Sequence, residues 1–195
     1  MAVDGHIQDW HIAHHSRFAL GGMALSFVEA TGVTPEGRIT YGCTGIWDDN
    51  HVLGLKKIVN LYKSQNISVG IQLGHAGRRA SCVRLLDGGQ SISDKDTVEP
   101  PWGIIGPSAI AEREGYPVPR CMSHKNIMKV IEAFKAAAKR ALDAGFDTIE
   151  IKQVKLYSKN KDDNFNISFN EIYTRCKFLS IPCNCVHSCI HITFS

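Results

Sequence analysis

Two segments decide the fold: Val69–Arg79, reading VGIQLGHAGRR, and Leu25–Arg38, reading LSFVEATGVTPEGR. Each is a short apolar run that breaks into glycine, proline and charge, as a buried parallel strand does on entering a functional loop. Outward from them the chain alternates. Asp9 to Leu20 predicts a helix closed by Gly21-Gly22, and Ala24–Ala30 a strand. Asp48 or Asp49 is expected to cap a second helix carrying Val52, Leu55, Ile58, Val59 and Tyr62, followed by a strand over Ile67–Leu73. Ser123 is expected to cap a third, with an apolar face of Ile127, Ile131, Phe134, Ala138 and Ala141 and a stop at Gly145. Asp147–Ile151 predicts the third strand.

An αβαβαβ order implies a parallel sheet with right-handed crossovers. Helix-to-strand connections are short, whereas strand-to-helix connections are long, and long loops at the C-terminal ends of parallel strands are where α/β enzymes place their sites. Residues 82–122 hold five prolines and few periodic apolar residues, which reads as a loop insertion. The pattern alone allows a doubly wound sheet or a (β/α)8 barrel.

Composition breaks inside the chain. All 17 glycines and all 15 alanines fall within residues 1–151, and residues 152–195 contain neither. The first part is charge-neutral, so the tail supplies the whole net charge of +3, which singles out neither nucleic acid nor membrane as a partner. The tail is rich in Lys, Asn, Ile, Ser, Phe and Cys, as a translated AT-rich stretch would be. Gln153-Val154-Lys155 can be encoded as CAG-GTA-AAG, a splice-donor-like sequence. A retained intron or gene-model artefact after residue 152 is therefore expected, with a lineage-specific extension as the alternative. The tail is expected to be poorly ordered.

Four of the seven cysteines lie in that tail, at Cys176, Cys183, Cys185 and Cys189. Their spacing departs from the C-x₂₋₄-C pairs of structural zinc sites, so no metal site is expected. Cys43, Cys82 and Cys121 read as reduced thiols of a cytoplasmic protein. No apolar run approaches the ~20 residues of a membrane span, and no signal segment opens the chain. G-x-G-x-x-G is absent. Gly32 to Arg38 has phosphate-loop glycine spacing, but Arg38-Ile39 follows where Lys and a hydroxyl are needed.

Gln72 stands out because it interrupts the apolar strand Ile71-Gln72-Leu73, where an unpaired amide would cost ~1–3 kcal/mol. It is either a core Gln bonded to backbone or a ligand contact. His11, His14 and His15 on the first helix read as structural or exposed. Arg78 reads as a loop-fixing ion pair.

From about Asp4 to Ile151 the chain resembles the old yellow enzyme family of FMN-dependent NAD(P)H oxidoreductases, in its thermophilic-like branch, on EATGVTPEGR and on IQLGHAGR with His75, Gly77 and Arg78. The resemblance implies a fragment of a (β/α)8 TIM barrel of about three βα units, lacking the first strand and the C-terminal half. It implies FMN as cofactor, with NAD(P)H as reductant and a small-molecule enone as acceptor, and a homo-oligomer in complete relatives. It places Ala30 against the flavin and Gln72 on its pyrimidine edge, whose N–H and C=O suit an amide. The family's two substrate-binding histidine positions are occupied here by Lys152 and Lys155, and Tyr157 falls in register with its catalytic Tyr. Lysine donates hydrogen bonds without an imidazole's fixed direction, so the chain as written is expected to be inactive. The alternative is a non-catalytic barrel fragment or interaction module without bound flavin.

Overall fold

The computed structural model describes residues 1–93, 99–152, 183–186 and 189–193, the last two ranges as backbone strands. Its helices are α1 (Asp9–Leu20), α2 (His51–Lys63) and α3 (His124–Ala144). Its strands are β1 (Leu25–Gly32), β2 (Ser68–Gly74), β3 (Ile105–Gly106), β4 (Arg120–Cys121), β5 (Thr148–Lys152), β6 (Cys183–Val186) and β7 (Cys189–Thr193).

The third helix forms as its sequence predicts. Ser123 Oγ accepts the Asn126 N–H at 3.3 Å, and Asn126 Oδ1 accepts the Ser123 N–H at 3.2 Å, so two otherwise orphaned groups are satisfied. Ile127, Ile131, Phe134, Ala138 and Ala141 are all buried, and Gly145 closes the helix at φ +94°. The second helix starts differently from expectation. Asn50 occupies the cap in a helical conformation, and Asp48 acts one step earlier by accepting the Asn50 N–H at 2.9 Å.

The main sheet has the order β1-β2-β5-β7-β6. β1, β2 and β5 are parallel and follow chain order, with Val28↔Ile71 and Ile71↔Ile149 in register. Val28, Ile71, Leu73, Ile149 and Ile151 form one sheet face and pack into a single core with Leu55, Ile58, Ile131 and Phe134 from the helices. The three helices contact one another in succession on that side. A doubly wound sheet would carry helices on both faces, whereas helices on one face are the arrangement of a barrel wall. The fold is an incomplete (β/α)8 barrel with an open sheet.

The other face carries Phe27, Gln72 and Glu150, all half-buried, in the position of a barrel interior. Gly70 is required there, because a Cβ would stand 2.4 Å from Phe27 Cε1 and 2.7 Å from Thr148 Cγ2.

β7 pairs antiparallel with β5 from Thr148↔Thr193 to Lys152↔Cys189, and β6 pairs with β7. An unpaired strand edge offers a row of N–H and C=O groups to any extended segment. The expectations for the rest of the tail fall outside the described residues. The 82–122 insertion contains the paired strands β3 and β4. Among the described residues, no helix is long and apolar enough to cross a membrane, and no group of three or more His, Cys, Asp or Glu side chains is placed to hold a metal ion.

Candidate functional site

The C-terminal strand ends are tied together by backbone. Gly32 N–H donates to Thr44 O at 2.9 Å, Ile46 N–H to Gly32 O at 2.9 Å, and Val33 N–H to Gly74 O at 3.1 Å. The β1–β2 register shifts between Val28 and Thr31, which sets Ala30 apart from the ladder. Thr31 Oγ1 anchors the bend by donating to Glu29 O at 2.8 Å and meeting Thr44 Oγ1 at 2.9 Å. Above these ends lies a cavity of about 330 Å³, whose lining includes Ala30, Gly74, Lys152, Arg38, His75 and Arg78.

Charge in the cavity is mostly positive. Arg78 Nε meets Glu112 Oε2 at 2.8 Å and Arg79 Nε meets Glu112 Oε1 at 3.5 Å, so Arg78 makes the ion pair expected of it. Arg38 donates from Nη1 to Asp4 Oδ1 at 3.2 Å and lies over the rings of Tyr41 and Trp102. Its Nε is buried with no hydrogen-bond partner, and so is His75 Nε2. His75 Nδ1 accepts the Gly77 N–H at 3.1 Å, which leaves the single proton of the neutral ring on Nε2. Burial holds the His75 ring below the ordinary histidine range, outweighing the pull of Glu36. Each orphaned donor costs ~1–3 kcal/mol unless a ligand or water supplies the acceptor.

The structure brings Ala30 and Lys152 together in the cavity wall. Gln72 lies two residues before Gly74, on the helix-free face beside Glu150, and is not part of that wall. No described hydrogen bond reaches its amide, and a Cβ on Gly74 would meet nothing within 4 Å. Lys155 and Tyr157 lie outside the described residues.

A second polar cluster sits behind β1. His11 and His15 are buried, and His14 is half-buried. His15 Nδ1 meets Tyr62 Oη at 2.8 Å, and Tyr62 Oη meets Ser26 Oγ at 2.8 Å. His11 Nε2 and His15 Nε2 stand 3.7 and 3.6 Å from the Glu29 carboxylate oxygens. Burial pushes the Glu29 carboxyl up, but the His15 and His11 rings and a backbone hydrogen bond more than offset it and hold it low. Burial depresses His11, only partly opposed by Glu29. Arg38, Glu112 and Glu29 were not legible as site residues in the sequence, because their partners stand far away along the chain.

A parallel sheet with helices on one face and a cavity at its C-terminal strand ends defines a piece of a (β/α)8-barrel protein with its site where such barrels carry theirs. The chain belongs to the NADH:flavin oxidoreductase / NADH oxidase family, whose model matches residues 2–161, past Ile151. An NADPH dehydrogenase of Geobacillus thermodenitrificans is 42% identical over 158 residues, covering 81% of this chain and 41% of the relative. An NADH:flavin oxidoreductase of Gibberella zeae is 44% identical over 151 residues, covering 77% of this chain and 37% of the relative. The chain thus spans about two fifths of the length of these curated relatives. Morphinone reductase shares the fold with a TM-score of 0.60 at 24% identity, over 76% of this chain and 40% of its own. An old yellow enzyme homologue from Zymomonas mobilis shares it at 0.60 and 23% identity, over 77% and 40%.

Proposed function

We propose that this chain carries the flavin-edge portion of an FMN-dependent NAD(P)H oxidoreductase of ene-reductase type. The observation that supports it most is the Gln72 amide, half-buried on the interior face and reached by no described hydrogen bond, beside open space at Gly74. That donor–acceptor set fits a flavin pyrimidine edge. Ala30 suits close approach of a flat ring, since a larger side chain would push the ring away. FMN, when bound, supplies the hydride chemistry. The chain's own residues bind and orient: Gln72 holds the ring edge, Ala30 leaves room for it, and Lys152 in the cavity wall donates to a small enone's carbonyl oxygen. Tyr157 is the catalytic candidate, with Lys155 at the second donor position.

In this reading the chain as written turns over poorly, NADH or NADPH is the reductant, the protein is cytoplasmic, and complete relatives are homo-oligomers. Residues 1–151 are the barrel portion and 152–195 an unrelated tail, a division that rests on the loss of glycine and alanine after Gly145. Sequencing the transcript across residue 152 tests that division, and a message that continues only as given overturns the retained-intron reading.

The half-buried interior face and the two-fifths coverage favour a second reading, a barrel fragment that holds no flavin. Purified chain mixed with FMN and passed through a desalting column separates the two. Retained visible absorption supports the flavin reading, and a colourless protein supports the fragment.

A further inference from the structure

Ala30 stands between two residues that are bonded to each other, Thr31 Oγ1 lying 2.8 Å from Glu29 O. The same Oγ1 stands 2.9 Å from Thr44 Oγ1. A carbonyl oxygen only accepts, so the single Thr31 hydroxyl proton goes to Glu29 O. The proton of the second contact must then come from Thr44, whose hydroxyl donates to Thr31. Both threonines are fully buried, so bulk water competes for neither proton.

This clasp sits where the β1 ladder breaks. The register against β2 shifts between Val28 and Thr31, so Ala30 has no paired residue on β2 and its placement depends on other contacts. The Thr44 segment is brought alongside by backbone: Gly32 N–H donates to Thr44 O and Ile46 N–H to Gly32 O, each at 2.9 Å. Glu29 is also approached from α1, with His11 Nε2 and His15 Nε2 at 3.7 and 3.6 Å from its carboxylate oxygens. Ala30 and Thr31 line the cavity, whereas Thr44 is not part of its wall. Thr44 is one hydrogen bond removed from that wall.

We propose that Thr44 is a positioning residue for the strand-end site. Its hydroxyl commits the Thr31 proton to Glu29 O, and the closed clasp fixes Ala30 in the wall at the distance a flat ring needs. What the wall receives rests on the flavin reading. The clasp itself does not, and the test separates the two.

Alanine-methyl NMR of the full chain without FMN reads the clasp, the Ala30 signal being assigned by its loss in Ala30→Gly. Thr44→Val keeps the shape and removes the hydroxyl. It should displace the Ala30 methyl signal while those of Ala137, Ala138 and Ala141, buried on α3, stay in place. Thr44→Ser keeps the hydroxyl and should return the Ala30 signal to its parental position, a rescue that a loss of packing alone would not give. Should Thr44→Val misfold, Thr44→Ala removes the hydroxyl without setting a methyl against Thr31 and should displace the same signal. FMN titration follows: loss of one net hydrogen bond should weaken FMN ~2- to 10-fold in Thr44→Val and leave Thr44→Ser close to its parent. A parent that binds no FMN overturns the flavin reading, and the methyl spectrum then decides the clasp by itself. An unmoved Ala30 signal in the folded variant without the hydroxyl, or one displaced as far by Ser as by Val, would overturn the positioning role.

Discussion

Asp147 and Val69 grip each other twice: the Asp147 N–H donates to Val69 O at 2.9 Å, and Asp147 Oδ2 accepts the Val69 N–H at 2.8 Å. The other carboxylate oxygen meets Lys63 Nζ. One side chain therefore joins the end of α2, the start of β2 and the entry to β5. Asp147→Ala should lower unfolding free energy by about 1–2 kcal/mol, since it orphans a backbone donor and removes a half-exposed ion pair of small worth. Asp147→Asn, which can still accept, should lose less. Urea midpoints at unchanged slope measure both, and an Ala variant as stable as its parent would show that the grip carries no weight.

Gly70 is where the Phe27 ring crosses the sheet. Gly70→Ala should destabilise by about 1–3 kcal/mol, through a contact no rotamer of the new side chain can relieve. In a Phe27→Ala background the penalty should shrink, because the nearest clashing atom is gone. Thermal unfolding of the four-member cycle measures the coupling, and strict additivity would contradict the contact.

Gln72 should matter to flavin affinity in a chain completed by the flanking segments of a full-length relative. Gln72→Leu preserves volume and removes the amide, leaving the flavin edge unpaired. A cost of ~1–3 kcal/mol corresponds to roughly 5- to 150-fold weaker FMN binding. Equal affinity would move Gln72 from the site to the core.

The chain as written should reduce 2-cyclohexenone with NADPH and added FMN far more slowly than its full-length relatives. Loss of one well-aimed oxyanion donor typically costs ~10²–10³ in rate, and in the proposed function Lys152 and Lys155 replace two. A turnover number comparable to that of a full-length relative, measured side by side, would refute this.

Stability should fall as pH drops below about 6.5. His75 and His11 are buried neutral with depressed affinity for protons. The unfolded chain takes up protons on both near the ordinary value of 6.5 while the native chain does not, so the unfolded state gains below that pH. Glu29, held low in the fold, adds a further loss of the same sign below its ordinary value of 4.5. Urea midpoints at pH 7.5, 6.0 and 5.0 should decline in order, and His11→Gln should flatten the first step. A midpoint independent of pH would count against buried neutral imidazoles.

The element order and the third helix were legible in the sequence because they rest on local rules. Ser123 caps, Gly145 stops, and an apolar residue every third or fourth position makes a buried face. Gln72 stands out in the sequence for a similar reason, as a polar residue interrupting an apolar run, and its place on the half-buried helix-free face follows from strand alternation. The family motifs added the barrel, which periodicity alone left open.

Other features depended on where distant segments meet. That all three helices share one sheet face, that Glu112 reaches Arg78 and Arg79, and that Arg38 Nε and His75 Nε2 are buried without partners follow from contacts between residues dozens of positions apart. Spacing along the chain carries no record of such contacts. Local conformation is set by each residue's own backbone preferences and hydrogen-bonding groups, and so could be read from the sequence. Which donors stay unpaired is decided only when the folded chain has distributed its acceptors, and that belongs to the tertiary structure.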